Sequence, residues 1–527
     1  MSDFVLPWPT LPLRSLAAEM SLGKMLDKEK NRGTLQPYLR NVNVRWFSFD
    51  LSDLKEMRFE DGEGTRFQLR PGDLVICEGG EPGRAAVWRG QAENAKIQKA
   101  LHRIRFRLDE YDPSFAMYYV YFGTITNRFA SYYTGTTIKH LTGAALRQVL
   151  FPVPPLNEQR RIVAKIDELF SDLDAGVVAL KRAKANLKRY RAAVLKAAVE
   201  GKLTEAWRAN HPNTEPAQKL LARILTERRQ KWEADQLAKF AAAKKEPPKN
   251  WREKYVGPKP LVTTGLPELP EGWCWASVDM LCGYVTSGSR GWAEHYTEEG
   301  PVFLRIGNLD HGSIQLDLTD FQRVTPPLGA ESLRTRTRVG DILISVTADV
   351  GMVAVIPTGF EEAYINQHIA LCRPESGFHR ELAAWCLASD WGQRQFKAMQ
   401  RGATKVGLGL DDVKAAIIPF PSLIEQTRIG IAVAEKLSQI DAAETAIDHG
   451  LLRAARLRQS ILKQAFAGKL VPQDPRDEPA SVLLEKQRAS QNGTPSLPFG
   501  SRREEAKTKR KGTKGTQRHR MTYKGTE

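Results

Sequence analysis

Hydrophobic positions along this chain keep two different rhythms, and each rhythm occurs twice. In residues 36–108 and again in 301–373, short apolar runs such as Asp73-Leu-Val-Ile-Cys77 and Asp341-Ile-Leu-Ile-Ser345 alternate with Gly and Pro. That pattern predicts strands separated by turns. The elements Pro152-Val-Pro154 and Pro419-Phe-Pro421 close these stretches, because proline does not continue the interior of a strand or a helix. From Glu158 the period becomes helical: Ile162, Ile166, Leu169, Leu173, Val177, Leu180, Leu187 and Val194 keep a three- and four-residue spacing, with a gap near Lys184. A second stripe runs through Ile429, Val433, Leu437, Ile440, Ile447, Ala454, Leu457 and Ile461. Each predicts a helix of roughly 45 residues, about 65–70 Å long. A helix of that length cannot bury its stripe alone, so the two are expected to pair as a coiled coil. The domain between them permits an antiparallel arrangement.

The duplication extends to individual residues. Tyr38-Leu39-Arg40-Asn41-Val42-Asn43-Val44 lies over Phe303-Leu304-Arg305-Ile306-Gly307-Asn308-Leu309 at an offset of 265. Arg70-Pro-Gly72-Asp73 lies over Arg338-Val-Gly340-Asp341 at 268, where Gly83 also meets Gly351 and Arg105 meets Arg373. From Gly135 to Thr204 the offset is 267 without a gap. This stretch sets Pro152-Val-Pro154-Pro-Leu156-Asn-Glu158-Gln159-Arg-Arg161-Ile162 over Pro419-Phe-Pro421-Ser-Leu423-Ile-Glu425-Gln426-Thr-Arg428-Ile429, and Gly201-Lys202-Leu203 over Gly468-Lys469-Leu470. Glu215-Pro216-Ala217 recurs as Glu478-Pro479-Ala480. Matches in one order with a nearly constant offset mean one unit written twice. At the helix starts, Glu158, Gln159 and Arg161, like Glu425, Gln426 and Arg428, fit capping and pairing with the helix dipole. Gly201 and Gly468 fit left-handed helix stops.

With 527 residues, the chain has room for two to four domains. Apolar residues make up 42% and charged residues 26%, which suits ordinary folded protein. No run approaches the roughly 18 apolar residues of a membrane span. The opening MSDFVLPWPTLPLRS lacks a basic start followed by an apolar stretch, so no signal peptide is expected. Cys77, Cys274, Cys282, Cys372 and Cys386 form no CxxC pair, which argues for reduced core thiols in a cytoplasmic protein rather than a zinc site. The net charge is +17, of which residues 501–527 supply +7 through 10 Lys+Arg against 3 Asp+Glu. Such a balance suits a polyanion partner. No G-x-x-x-x-G-K-[ST] loop, G-x-G-x-x-G unit or H-E-x-x-H pair is present, nor an Asn/Asp-Pro-Pro-Tyr/Phe segment, and neither cofactor nor metal is expected.

Two variable β-rich regions, each followed by P-x-P-x-x-E-Q and a long helix ending in A-x-x-G-K-L, resemble the specificity subunit of type I restriction-modification systems. The resemblance covers residues 1–487 in order. It implies an α+β fold: two α/β target recognition domains separated by two long helices paired as an antiparallel coiled coil, with a pseudo-twofold internal repeat. On this reading, residues 1–155 and 271–422 are the recognition domains, 156–246 and 423–487 the helical spacer regions, and 247–270 a Pro-rich linker. Residues 488–527 form a basic tail whose composition predicts disorder. Each recognition domain would read one half of an interrupted site on double-stranded DNA. The helices would space the halves and dock the methylation subunits, two of them on pseudo-symmetry grounds. Restriction subunits would join through the assembled complex, and catalysis would reside on those other chains. Two readings of different class compete: a self-sufficient DNA methyltransferase or nuclease with unfamiliar motifs, and a coiled-coil scaffold without base readout.

Base readout requires Arg, Lys, Asn, Gln, Ser or Thr at base edges, supported by phosphate contacts. Loops that differ between the copies are the natural candidates. The stretch before Leu39 offers Lys24, Lys28 and Arg32, and its counterpart before Leu304 offers Ser289 and Arg290. The loops after the two R-x-G-D strands offer Arg84 and Thr347. The matched elements Gly135-Thr136-Thr137 with Lys139, and Gly402-Ala403-Thr404-Lys405, combine a flexible backbone with a cation suited to positioning phosphate.

Overall fold

The computed structural model describes residues 6–25, 32–401, 407–482 and 484–485. The chain divides into two compact units, Met1–Asp172 with Arg456–Glu527, and Leu173–Ala455, so the division passes through both long helices.

In the first unit, a four-stranded antiparallel sheet carries the strands in the order Ala17–Leu22, Leu101–Phe106, Leu74–Cys77 and Ala85–Val87. A three-stranded sheet sets Thr34–Leu39 between Lys55–Phe59 (antiparallel) and Lys96–Ile97 (parallel). The second unit repeats both sheets. Its four strands run Cys282–Ser287, Ile369–Pro374, Ile342–Ser345 and Val353–Val355, and its smaller sheet sets Tyr296–Leu304 between Gln322–Val324 and Ala363–Ile365. Even the register is conserved, since Leu101 pairs with Cys77 and Ile369 with Ser345.

The central strands are apolar throughout because both faces are covered. Leu74 and Ile76 point to one core, with helix Pro113–Ile125, while Val75 and Cys77 point to another beneath the smaller sheet. In the second unit, Ile342 and Ile344 likewise part from Leu343. The R-x-G-D turns anchor these strands. Asp73, fully buried, accepts the Arg70 N–H at 2.7 Å and both Nε and Nη2 of Arg105 at 2.7 Å. Asp341 does the same with the Arg338 N–H at 2.8 Å and with Arg373 at 2.9 and 2.7 Å.

The long helices span Leu156–Val199 and Leu423–Phe466, 44 residues each. In the first unit, Ile162, Ile166 and Phe170 share a core with Ile461, Leu462, Ala465 and Phe466. Phe466 is fully buried among the rings of Phe115, Tyr119 and Phe122, with centroids 5.1–5.5 Å away. In the second unit, Leu195, Ala198 and Val199 meet Ile429, Val433, Leu437 and Ile440. Lys184 Nζ reaches both oxygens of Asp448 at 2.6 and 2.8 Å, and Arg191 pairs with Asp441 and Glu444. Seven residues forward on one helix thus correspond to seven backward on the other, so the pair is antiparallel. Lys184, where the apolar stripe lapses, contributes an ion pair instead.

Proline segments and one glutamine join each β-rich domain to its helix. Gln159, fully buried, donates from Nε2 to the Pro154 carbonyl at 2.9 Å and accepts the Asp112 N–H at 2.8 Å. Gln426 donates to the Pro421 carbonyl and accepts the His379 N–H, both at 2.8 Å. Asp112 and His379 are the N-caps of the first helix after each main sheet, so one side chain fixes the entry of two helices. The expected capping role is therefore replaced by a bridge between elements 47 residues apart. The neighbouring glutamates lie in the first turn of each helix, as pairing with the helix dipole expects, and also reach across to the domain. Glu158 accepts the Trp8 indole N–H at 3.2 Å, and Glu425 accepts that of Trp273 at 2.8 Å. Gly201 and Gly468 end the helices in the left-handed conformation, with φ of 67° and 68°. A Cβ there would stand 2.7 Å from Pro270 and 2.8 Å from Pro7, so glycine also lets the tryptophan segments approach.

The two glutamates differ in one respect. Glu425 also accepts Thr204 Oγ1 at 2.7 Å and Arg208 Nη1 at 2.5 Å. Val471 occupies the position that matches Thr204, and Glu158 Oε1 is buried without a partner among the described residues. Burial raises the Glu158 pKa above the usual glutamate value, opposed by the Trp8 hydrogen bond. A carboxyl raised in the folded state holds its proton better there, so its contribution to stability falls as pH rises through that window. Glu158→Gln imitates the protonated form and is expected to keep or raise thermal stability at pH 7 while flattening its pH dependence above the ordinary glutamate pKa. Glu425→Gln instead weakens a buried pair and should cost about 1–3 kcal/mol. Thermal unfolding of the two variants across pH 4–8 checks both outcomes.

Candidate nucleic-acid interface

Antiparallel pairing carries three chain segments to one end of each main sheet. In the second unit, strand Cys282–Ser287 ends there, Ile342–Ser345 ends there, and Ile369–Pro374 begins there. Backbone bonds knit the emerging loops together: Gly288 N–H to the Ile369 carbonyl (3.1 Å), Gln367 N–H to Ser289 (3.0 Å), Val346 N–H to His368 (2.8 Å) and Leu408 N–H to Val346 (2.8 Å). The first unit does the same with Gly23 N–H to Leu101 (3.0 Å), Lys99 N–H to Lys24 (2.7 Å) and Leu141 N–H to Glu78 (2.7 Å). Loops far apart in sequence therefore form one polar edge on a rigid sheet, as base or phosphate contacts require.

The side chains proposed from sequence divide by what they touch. Lys24 is not available at this edge: its buried ammonium donates to the Arg58 carbonyl at 2.9 Å and pairs with Glu63. The ammonium also lies over the Phe59 ring, 5.2 Å from its centroid, and these three contacts draw Lys24 out of the expected open loop. Arg84 holds its own loop, donating to Glu81 at 2.6 Å and to the Asn41 carbonyl at 2.8 Å. Ser289 is buried, with Oγ 3.4 Å from Thr335 Oγ1. Thr347 is half-buried and bonded through its hydroxyl to His368 Nδ1. Arg32 and Arg290 are exposed. Thr136 and Lys139 are exposed on the turn that the Thr134–His140 bridge closes. Gly135, at φ 91°, has the Ile138 carbonyl 2.2 Å from where a Cβ would be, so the turn admits no side chain there. Lys28, Thr404 and Lys405 lie outside the described residues.

His140, Gln367 and Arg401, none of them expected there from sequence, join the same edges. A Cβ on Gly79 would lie 2.8 Å from His140 Nδ1, so that histidine sits directly on the glycine loop. Asn41 Nδ2 donates to the Gly79 carbonyl at 2.8 Å. In the second unit, Gln367 Nε2 is 3.0 Å from His368 Nε2, and Arg401, largely exposed, pairs with Asp412 at 2.6 Å. The glycine at 79 is the one sequence signal that could have flagged His140, through the close approach it permits.

No cluster of His, Cys, Asp or Glu that could hold a metal occurs among the described residues. Burial pushes the Cys77 thiol up to about 11, and those of Cys372 and Cys386 to about 12, so these thiols stay protonated. No helix among the described residues is long and apolar enough to cross a membrane.

Comparison with known proteins agrees with this duplicated arrangement. The family model for the type I restriction modification DNA specificity domain matches residues 90–181 and again residues 335–455, once in each copy. The chain is 26% identical over 438 residues to the type I restriction enzyme EcoBI specificity subunit of Escherichia coli, covering 80% of both proteins. It is 25% identical over 382 residues to the EcoKI specificity subunit of Escherichia coli strain K12, covering 69% of this chain and 68% of that one. Among solved structures, a chain from a study of complex assembly and conformational transition in the type I R-M system matches with a TM-score of 0.57, at 21% identity, over 89% of this chain and 100% of its own. The HsdS subunit of Thermoanaerobacter tengcongensis matches with a TM-score of 0.50, at 22% identity, over 89% and 99%. Two β-rich domains with equivalent loop edges, two antiparallel helices and a match in each copy show that this chain carries the type I restriction modification DNA specificity domain twice and resembles the specificity subunits of those systems along most of its length.

Proposed function

We propose that each β-rich domain reads one half of an interrupted site on double-stranded DNA through the loop edge at the end of its main sheet. One observation carries this reading. The same backbone edge occurs twice in one chain, on main sheets that share their register and knitted by backbone hydrogen bonds between its loops, yet it presents different side chains. Lys139, Thr136 and His140 occupy it in the first unit, and Arg290, Thr347 and His368 in the second. Two unlike readers on one scaffold suit two unlike half-sites, whose gap the helices set geometrically. Residues 1–155 and 271–422 would then be the exchangeable parts.

The partners follow from the same arrangement. Methylation subunits would dock on the outer faces of the helices, where Val178, Tyr190 and Leu452 are exposed apolar residues in the second unit. Pseudo-symmetry favours two of them. Restriction subunits would join through the assembled complex, in the cytoplasm, and the transfer and cleavage chemistry would belong to those chains.

Exchange of residues 1–150 for the first recognition domain of another family member tests this directly. One half-site should change while the other stays the same, read from the methylation pattern of the assembled complex. A change in both halves, or in neither, contradicts the reading. The purified chain alone, with DNA and S-adenosylmethionine, should transfer no methyl group; transfer would favour a self-sufficient methyltransferase.

A further inference from the structure

We propose that residues 217–259 form a second DNA-binding element, a basic arm that grips the duplex backbone independently of sequence and outside the half-site read by the second domain. This rests on the DNA-binding reading above.

The arm is built on helix Ala217–Ala242. Ala217, Leu220 and Ile224 are buried in the core of the second unit, the Ala217 N–H reaches the Gly272 carbonyl at 2.8 Å, and Gln218 donates to Trp273 at 3.0 Å. Asp279 clasps both legs. Its backbone carbonyl accepts Arg228 on the way out, and its carboxylate accepts the Lys259 N–H at 3.2 Å on the return. Beyond Lys231, which stands 3.7 Å from Glu375, the hydrogen bonds and ion pairs of the arm's described residues stay within it until Lys259. Eleven further helical residues therefore extend about 16 Å past the last ion pair with the domain. A satellite aromatic cluster keeps this projection rigid: Trp232 stacks on Trp251 at 5.9 Å and meets Tyr255 at 5.3 Å, while Phe240 meets Trp251 at 6.3 Å.

Charge gives the arm its chemistry. Residues 217–259 hold 12 Lys+Arg and 5 Asp+Glu, a net +7, and residues 501–527 supply another +7. The rest of the chain, out of +17 in all, carries only +3. The excess is therefore concentrated in two segments, and both follow the same point of the repeat, after Glu215-Pro-Ala217 and Glu478-Pro-Ala480. On the arm, Lys239, Lys244, Lys245, Lys249 and Lys254 are exposed, and none has a carboxylate partner among the described residues. Unpaired ammonium groups on a rigid projection attract a polyanion without reading it. The arm's anchors, Asp279 and Glu375, flank the ends of strands Cys282–Ser287 and Ile369–Pro374 opposite the loop edge. Six-residue strands separate the two by about 20 Å, which places the arm's phosphates beyond the bases being read.

Binding of a mixed-sequence duplex, measured against KCl concentration, tests the arm in the full-length chain with its partner subunits. In K239Q/K244Q/K245Q/K249Q/K254Q, the slope of log K against log salt should flatten by about 3–4, with affinity at 0.1 M salt falling roughly tenfold or more, since each lost phosphate contact removes about 0.9 from the slope. The matching Lys→Arg variant should keep the wild-type slope, and the half-sites should be unchanged in both. An unchanged slope in the Gln variant overturns the proposal. Loss of partner-subunit binding with an unchanged slope would assign the arm to an acidic protein face instead. If the wild-type complex itself binds no duplex, the failure lies with the DNA-binding reading.

Discussion

A 44-residue helix with one apolar stripe is unstable in water unless something covers the stripe, and here each long helix covers the other. From Leu173 to Leu187, the stripe of the first helix is only half-buried, since one partner shields one side. Toward the ends the β-rich domains add further cover, and Ile162, Ile166, Val433 and Phe466 become fully buried. Hydrophobic burial is thus greatest where helix and domain meet. The antiparallel direction follows, because each domain packs on the start of one helix and the end of the other.

Duplication makes this economical but leaves the halves unequal in instructive places. Gln159 and Gln426 make the same pair of bonds, as do Asp73 and Asp341. Glu158 and Glu425 share the indole contact, but only Glu425 gains a hydroxyl and a guanidinium. The second domain is therefore fastened by a fully satisfied carboxylate, and the first by one that carries a desolvation penalty. Framework residues repeat, whereas the loop edges diverge, as a pair of readers with different targets requires.

Much of this was legible in the sequence, for a physical reason. A helical stripe and an R-x-G-D turn are local patterns that recur at a fixed offset, so repetition exposes them. The roles of Glu158 and Gln159 were not legible, because a helix-start position suggests capping, while their partners Trp8 and Asp112 stand 150 and 47 residues away. Lys24 read as an open-loop cation and proved buried, since its partner Glu63 lies on a neighbouring segment that no local pattern links to it. The distribution of charge was only partly visible. The tail was plain from composition, whereas the excess in residues 217–259 gained meaning only once the projecting arm was seen.

In the proposed function, one pair of helices sets the separation of the two readers and takes no part in reading. Deleting one heptad from each long helix, at matched positions so that the antiparallel register is kept, tests it most directly. The methylated site of the assembled complex should then show both half-sites unaltered and a shorter gap between them. Altered half-sites, or an unaltered gap in a folded complex, would show that the helices do not act as the spacer.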